Sequence, residues 1–527
     1  MKVRQLLAAL TMVAATRATA HTQGTTLSEA WVGSETEVYL RALAANGAIG
    51  AQPWSIRPFA PKVLERWAAD SGKLGPWQMH LRSLSPSGAF VILRPSVSVS
   101  YNSAFPWGFN DGAVWQGKGA NASATFGVAW HKGIFSMRLE PTAFWAQNSN
   151  FPLLVPPGGA GANPYLDALT PGSIDLPQRF GNNSYAQVDP GQSFIRVDAG
   201  GVAIGVSSEN IEWGPAVKNP LLLGSNAAGF PHLFIGTSEA VRTPIGRFHG
   251  QVVYGRLTQS AYGTDIADNG ARFGSGFALA WTPPSGKGIE LGVARFFHKF
   301  WNAPGAISLA APFASLFVDR GGIGSGPADN QLLSVFARVT AEQAGAEFWT
   351  EFGKNDHNAD LRDATLEPEH NSAFSLGALK TLGDVRSAHF WSFRMEYLNG
   401  RVTSLQRFRG QSTFYDHSPI TEGHTQFGQL LGSPLLERTG GLEFSADRWN
   451  ADGRTGFVLI QRSMPASLAE GQTVAVARSQ WALEANATRF RGALDVSARA
   501  GVVFDLNRTP GNDVTNFYAG FSLRGRR

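Results

Sequence analysis

The residues of this chain that could do chemistry stand in long polar segments, where aromatic rings occur next to amides, acids and histidines. A sugar ring has an apolar C–H face that stacks on an aromatic ring, and a rim of hydroxyls that needs paired donors and acceptors. This mixture therefore predicts contact with a polysaccharide. The candidate carbohydrate-binding residues are Trp107, Trp115, Glu209, Asn210, Trp213, Asp356, His357, Tyr415 and His417.

The same side chains have a plainer interpretation, in which they pack the loops into a plug and close the interior of the fold. A catalytic interpretation is also open, because Glu209 with Glu212, or Glu367 with Glu369, could supply the acid and base of a glycosidase. Neither pair stands in a recognisable catalytic motif, and close carboxylates are common in polar loops. We therefore predict no catalytic residue and no enzyme activity.

Metal binding is a further alternative for two of the loops. Asp356, His357, Glu369 and His370 offer oxygen and imidazole ligands. Their spacing fits no zinc signature, and a calcium loop would need more carboxylates at regular intervals. We therefore predict no metal site and no cofactor.

The segments that must position these residues alternate between apolar and polar side chains. From about residue 95 onward, the chain reads as about eighteen short strands joined alternately by short turns and long loops. In one hairpin, the apolar face carries Trp481, Leu483, Ala485 and Ala487, and then Leu494, Val496, Ala498 and Ala500. An upstream strand places Phe348 and Phe352 opposite Glu347 and Glu351. The strands of a soluble β-sandwich also alternate between apolar and polar residues, so a sandwich is the alternative fold.

Strict alternation of short and long joints is typical of a closed antiparallel outer-membrane barrel with all long loops on one side. We predict such a barrel over residues 91–527, after a helical region at 21–90. The helices should lie in the periplasm, so the long loops should face the cell exterior. These predicted exterior loops are 103–119, 147–192, 209–231, 299–330, 355–371 and 399–440.

The beginning of the chain resembles an export signal, with Lys2 and Arg4 before an apolar run and a small-residue cleavage site at 18–20. We therefore predict a signal peptide at 1–20. The 0 cysteines fit an oxidising compartment, and the 15 Trp, 35 Phe and 60 Gly suit aromatic girdles and turns. The formal charge of +5 comes with no basic helix or dense basic tract, so no nucleic-acid partner is expected.

Helical periodicity replaces the strand pattern before the barrel. Ser34 and Glu37 have capping-box spacing, and Asn46 with Gly47 can end that helix. A second helix is predicted to start near Pro61, and a third to carry Trp77, Leu81 and Leu84. Such short helices need tertiary support, so we expect their aromatic residues to form a core against the periplasmic end of the barrel.

Six sequence stretches resemble signature segments of the Wzi family of capsule-assembly outer-membrane proteins. They are DGAVWQG (111–117), IDLPQRFG (174–181), SENIEWGP (208–215), GFPH (229–232), NDHN (355–358) and LEPEH (366–370). The resemblance implies an eighteen-stranded monomeric barrel and a lectin-like role in holding capsular or other surface polysaccharide. It also implies contact with outer-membrane lipid, lipopolysaccharide and the barrel assembly machinery. A porin or sugar channel is the alternative, because a barrel of this size has room for an open lumen.

Overall fold

The computed structural model describes residues 30–50, 52–69, 74–81, 90–155, 163–263, 271–284, 288–302, 307–313, 329–356, 365–403, 410, 412–418, 420–467, 476–509 and 511–525. The predicted signal peptide at 1–20, together with His357 and Leu84, lies outside these residues. Among the described helices, none is both long and apolar enough to cross a membrane.

Three short helices precede the sheet, as the sequence predicts, but Trp77 lies in a 3-10 turn, Gly75–Trp77, immediately before the third helix. Their bounds are α1 Glu35–Ala45, α2 Pro61–Ala69 and α3 Gln78–Leu81. Ser34 caps α1, because its hydroxyl accepts the backbone N–H of Glu37 at 3.2 Å. The rings of Tyr39 and Trp77 stack with their centroids 4.4 Å apart, and both side chains are buried. The prediction that these aromatic residues form a core is confirmed.

The rest of the described chain is dominated by β-strands. The strands of the first part are β1 Ile56–Arg57, β2 Phe90–Ile92, β3 Ser96–Asn102, β4 Gly119–Thr125, β5 Val128–Lys132, β6 Phe135–Leu139, β7 Thr142–Ala146, β8 Tyr185–Asp189, β9 Phe194–Ala199, β10 Val202–Ser207, β11 Glu212–Trp213, β12 His232–Thr237 and β13 Val241–Thr243. The later strands are β14 Gly246–Thr258, β15 Ala271–Thr282, β16 Ile289–Phe300, β17 Asp329–Ala341, β18 Ala346–Asn355, β19 Ser372–Leu382, β20 His389–Asn399, β21 Thr425–Gln426, β22 Gln429–Leu430, β23 Gly440–Asn450, β24 Gly453–Ser467, β25 Val476–Arg491, β26 Leu494–Thr509 and β27 Asn512–Gly525.

One antiparallel sheet contains all of these strands except the short pairs β1–β11 and β21–β22. Most neighbours in the sheet follow chain order, but β2 pairs with β5, β4 with β7 and β6 with β9. The last strand pairs with an early one, since Tyr518 of β27 lies opposite Asn102 of β3. The run of pairings therefore closes on itself. We call this sheet the wall.

Side chains alternate between the two faces of the wall, with apolar ones outward and polar ones inward, which is the reverse of a water-soluble sheet. Phe348 and Phe352 of β18 face outward, and Phe348 is 59 % exposed. Glu347 and Glu351 of the same strand face inward and are fully buried. Trp481 and Leu483 of β25 are likewise exposed on the outer face, as the alternation predicts. The wall thus presents apolar side chains to its surroundings and encloses charged ones.

Two of the predicted joints differ from the sequence expectation. The expected loop 147–192 ends earlier, because β8 begins at Tyr185. Strict alternation of short and long joints is wrong at the last joint, where only residues 510–511 separate β26 from β27. There the two strands extend past a register shift, and Gly511 adopts the positive φ of 76° that a tight turn requires.

The helices close the end of the wall that carries the short turns. The Trp77 indole N–H donates to Asn450 O at 3.0 Å, in the turn between β23 and β24. The Asn46 side-chain amide donates to Thr381 Oγ1 at 2.6 Å, near the turn after β19. The long loops lie at the opposite end, and several of them fold into the interior of the wall. The helices and the loops together determine which side chains remain accessible.

Candidate functional site

Three segments fold into the interior of the wall and fill its centre. They are residues 208–231, 412–418 and 420–436, and we call them the plug. Trp213 lies in the middle of the plug with no exposed surface, and its indole N–H donates to Gln251 Oε1 of the wall at 3.1 Å. Gly276 of β15 makes room for this ring, since a Cβ there would come within 2.9 Å of it. Trp213 is therefore part of the central apolar core.

Buried ion pairs join the plug to the helical region. Arg57 of β1 contacts the carboxylate of Glu212 in the plug and, at 3.3 Å, that of Glu37 in α1. Burial favours the neutral form of Arg57, but these two carboxylates more than offset it and raise the pKa of Arg57. Arg57 therefore stays charged and holds the plug to the helices.

Four of the candidate residues have their polar atoms engaged within or beside the plug. The Asn210 amide donates to Gly224 O and Ala227 O, each at 2.9 Å, and its oxygen accepts from Gln192 at 2.9 Å. The Tyr415 hydroxyl donates to Leu221 O at 2.8 Å and accepts the Ser433 N–H at 2.9 Å. His417 Nδ1 accepts the Ile420 N–H at 3.0 Å. Together with Trp213, these residues are enclosed, so a ligand could reach them only if the plug moved.

Glu209 is buried as well, and its contacts differ from those of Glu212. Burial raises the pKa of Glu209 to about 7, although Arg138 and Arg196 oppose the shift. Its backbone N–H donates to Ser207 Oγ at 2.9 Å. Glu212 instead binds Arg57. Neither carboxylate lines a described cavity open to a substrate, and Glu367 and Glu369 of the other pair lie in a separate loop.

Trp107 and Trp115 are placed differently, at the loop end of the wall. They line a cavity of about 200 Å³ that we call the mouth cavity. Its rings are Phe105, Trp107, Phe109, Trp115 and Phe151, and its guanidinium groups are those of Arg462, Arg478 and Arg508. The lining also contains side-chain amides and carboxylates, which belong to Gln116, Gln178, Asn226, Gln429 and Gln480 and to Asp111, Asp167 and Glu437. The cavity thus combines flat apolar surfaces with many hydrogen-bonding groups.

Rings and guanidinium groups are interleaved in the mouth cavity. The Trp107 and Phe109 centroids are 4.5 Å apart, and the Arg462 guanidinium lies 5.7 Å and 5.0 Å from them. On the other side, the Arg508 guanidinium lies 4.7 Å from the Phe105 ring. Such cation–π contacts hold both partners in one orientation. The aromatic surfaces of the cavity are therefore preorganised.

Carboxylates and an amide in or behind the lining orient the arginines of the cavity, and Glu437 of the lining pairs with Arg462 at 2.5 Å. Arg478 forms a two-pronged ion pair with Asp505, at 2.8 Å and 2.6 Å. Arg508 also donates to Asp505, at 2.9 Å, and Arg462 donates to Gln480 Oε1 at 3.0 Å and 2.6 Å. These pairings neutralise much of the positive charge. The lining therefore suits an uncharged polyhydroxyl ligand as well as an acidic one.

Two buried polar atoms of the mouth-cavity lining, Asp111 Oδ2 and Trp115 Nε1, have no hydrogen-bond partner among the described residues. The indole N–H of Trp115 is buried and finds no acceptor there. Its ring packs edge-on against Phe180, with centroids 4.7 Å apart. A buried donor without an acceptor is costly, so a ligand oxygen that reached this N–H would gain a hydrogen bond.

The two remaining candidate residues, Asp356 and His357, add little to the description of the site. Asp356 has a positive φ of 67°, and its backbone N–H donates to Gln331 O at 2.8 Å. His357 lies outside the described residues, so the structure does not place the proposed pair. Among the described residues, no group of three or more His, Asp or Glu side chains is arranged to hold a metal ion.

Sequence reasoning missed most of the mouth cavity. Phe105, Phe109 and Phe151 stand in loops, and nothing in their spacing separates them from other loop aromatics. Arg462, Arg478 and Gln480 did carry a signal, because they occupy inward positions close to the loop ends of β24 and β25. Inward polar residues at the loop end of adjacent strands could have indicated a shared lining.

Comparison with known proteins shows a likeness of fold. No protein-family model and no curated protein sequence matches the chain. The solved structure of Wzi from Escherichia coli, described as a carbohydrate-binding β-barrel involved in group 1 capsule assembly, matches with a TM-score of 0.61 at 13 % identity. The match covers 93 % of this chain and 98 % of Wzi. The chain therefore has a Wzi-like fold, as the sequence motifs predict.

Two outer-membrane proteins of Pseudomonas aeruginosa match less well. OpdK has a TM-score of 0.36 at 9 % identity, with coverage of 82 % of this chain and 98 % of its own. OccK8 has a TM-score of 0.37 at 9 % identity, with coverage of 82 % and 97 %.

Proposed function

We propose that the chain is a closed outer-membrane barrel with about eighteen crossings. The count takes each interrupted pair of segments as one crossing, for example β2 with β3, or β12 with β13. The apolar outer face of the wall and its charged interior support this placement, because a lipid environment favours that arrangement and water does not. The helices then lie in the periplasm, and the long loops face the cell exterior.

The function that the site supports best is non-catalytic binding of a surface polysaccharide at the mouth cavity. The observation that carries the proposal is the row of rings and oriented arginines around Trp107 and Trp115 at the loop end. Sugar faces can stack on these rings, while hydroxyls take the amides, the guanidinium groups and the Trp115 N–H. Wzi, which has the same fold, is described as binding carbohydrate.

The volume of the cavity indicates how a polymer would be held. About 200 Å³ accommodates one or two sugar units rather than a long segment of chain. One contact of that size is weak, but a polymer offers many repeats to many copies of the protein in one membrane. Each bound repeat raises the local concentration of the next, so weak sites can anchor a polymer firmly.

To test the proposal, surface polysaccharide is extracted from the protein's own host, and its retention by the purified protein is measured. Trp107→Ala and Trp115→Ala should each weaken binding by about 2- to 10-fold, corresponding to the loss of one aromatic contact. Trp391→Ala is the matched control, because Trp391 lies exposed on the outer face of the wall. Its binding should equal that of the parent chain.

Unchanged binding in both cavity variants would reject the mouth cavity as the site. The porin alternative is tested separately by conductance in planar bilayers. The plug and the helices should prevent steady ion flow through the parent chain, and a large open-channel current would instead support transport.

A further inference from the structure

The chain that follows β16 returns across the outside of the wall instead of staying at its loop end. Residues 307–313 include a 3-10 turn at Ala311–Phe313 that packs on β15 and β16. The Phe313 ring stacks on the Phe277 ring with centroids 5.5 Å apart. The Tyr254 hydroxyl donates to Leu309 O at 2.7 Å. We call residues 307–313 the outer flap.

The outer flap lies far below the loop end of the wall. Its contact residue Phe277 stands six residues into β15, which is about 20 Å along the strand at the usual rise. Above the flap, Tyr254, Phe273 and Trp301 form an aromatic collar, in which the Arg256 guanidinium lies 5.7 Å from the Trp301 ring. Such a collar with a cation is typical of the level of lipid headgroups, so the flap lies at acyl-chain depth.

The flap covers a part of the outer face that is polar. Arg295 of β16 lies opposite Phe277 in the strand ladder and points outward, as Phe277 does. It donates to Gln331 Oε1 at 2.9 Å, yet it is almost inaccessible. A guanidinium that faces lipid directly is unfavourable, so a protein segment over this position removes an expensive contact.

The large side chains that the flap exposes are apolar. Ile307, Leu309 and Phe313 are 64 %, 75 % and 63 % exposed. They continue the apolar outer surface formed by neighbours such as Leu279, Leu291 and Val335. A loop displayed to water for sugar binding would not need such residues.

We propose that the outer flap is inserted among the acyl chains of outer-leaflet lipid, and that it belongs to the membrane surface of the protein rather than to its polysaccharide-binding loops. The continuity of the flap with the apolar wall, its depth below the aromatic collar and the polar pair that it covers all favour lipid as the occupant. The inference rests on the proposed membrane placement of the wall.

Site-directed spin labelling tests the proposal, because the chain has 0 cysteines and each introduced one is unique. A nitroxide is attached to Leu309→Cys in the full-length protein, reconstituted in phospholipid vesicles. Collisions with apolar oxygen and with a water-soluble nickel chelate are then compared. Val335→Cys on the bare wall is the lipid control, and Leu366→Cys, exposed in a loop beyond β18, is the water control.

The expected result is that Leu309→Cys matches Val335→Cys, with oxygen collisions exceeding nickel collisions. Nickel access equal to that of Leu366→Cys would overturn the proposal, and so would a label shielded from both reagents, because the flap would then contact a second copy. Ile307→Cys provides a second position if a label at 309 displaces the flap. Nickel access at Val335→Cys would instead contradict the membrane placement itself.

Discussion

The plug and the mouth cavity are built from the same kinds of side chain and differ in what remains available to a ligand. In the plug, Asn210 and Tyr415 use their polar atoms on backbone carbonyls and N–H groups of the same protein. In the mouth cavity, the Trp115 N–H finds no acceptor among the described residues, and the rings border a cavity, although Phe105, Trp107 and Phe151 are themselves largely buried. Buried polar atoms without a described partner also occur in the plug, such as His424 Nδ1 and Gln426 Nε2, so the adjoining cavity is what marks the candidate binding site.

The two regions also differ in how they are anchored. The plug is tied to the helices and the wall by fully buried ion pairs, such as those of Arg57. The arginines of the mouth cavity are held by Asp505 behind the cavity and by Gln480 and Glu437 in its lining, and they still border the cavity. Damage to the plug should therefore change stability, whereas damage to the cavity should change binding.

The largest expected effect is on the plug. Arg57→Met keeps most of the side-chain volume but leaves Glu212 buried without its partner. The free energy of unfolding should therefore fall by about 3–5 kcal/mol. The measurement is the urea midpoint of the protein in detergent micelles. Arg66→Met is the matched control, because Arg66 forms an exposed pair with Glu239 at 2.8 Å and should contribute at most about 1 kcal/mol. Equal losses in the two variants would contradict the anchoring role of Arg57.

Acid should also destabilise the plug. Burial lowers the pKa of His424 to about 4, with the nearby Arg272 acting in the same direction. Its Nε2 donates to Leu222 O at 2.6 Å, and the ring of His298 lies 5.9 Å away. The unfolded chain, with an ordinary histidine pKa near 6.5, binds more protons between these values. The contribution of His424 to stability should therefore fall by an amount on the order of 3 kcal/mol as the pH drops from about 6.5 to about 4, whereas Glu209, whose pKa is raised, contributes in the opposite direction.

His424→Gln isolates this contribution, because glutamine can still donate to Leu222 O and does not titrate. Urea midpoints measured across the same pH range should fall less steeply for this variant than for the parent chain. Parallel curves would show that the acid sensitivity arises elsewhere.

A smaller effect is expected from the tryptophan at the centre of the plug. Trp213→Phe leaves a void and deprives Gln251 of its donor, so the variant should lose about 1–3 kcal/mol of stability. Binding of polysaccharide by the folded fraction should be unchanged. Reduced binding at full stability would instead place Trp213 at the ligand.

The sequence predicts the wall better than it predicts the site, for a physical reason. Alternation with a period of two has to be repeated on every strand, so Phe348 and Glu347 reveal their faces without knowledge of any partner. The helix cap at Ser34 is also local. By contrast, whether Trp213 or Trp107 borders open space depends on contacts with residues far along the chain, such as Gln251 and Arg462. The aromatic and amide residues of the sequence therefore indicate the plug and the mouth cavity equally as candidate binding sites.

The sharpest test of the comparison repeats the same substitution in the mouth cavity. Trp115→Phe keeps an aromatic ring but removes the pyrrole part of the indole, including the N–H that has no described acceptor. Stability should stay within about 0.5 kcal/mol of the parent chain, while polysaccharide binding should weaken by about 2- to 10-fold, the value of one hydrogen bond. Equilibrium retention of labelled glycan measures the effect, with Trp391→Phe on the outer wall as control. If Trp115→Phe instead lost stability and kept its affinity, the cavity would be packing like the plug, and the distinction between the two regions would fail.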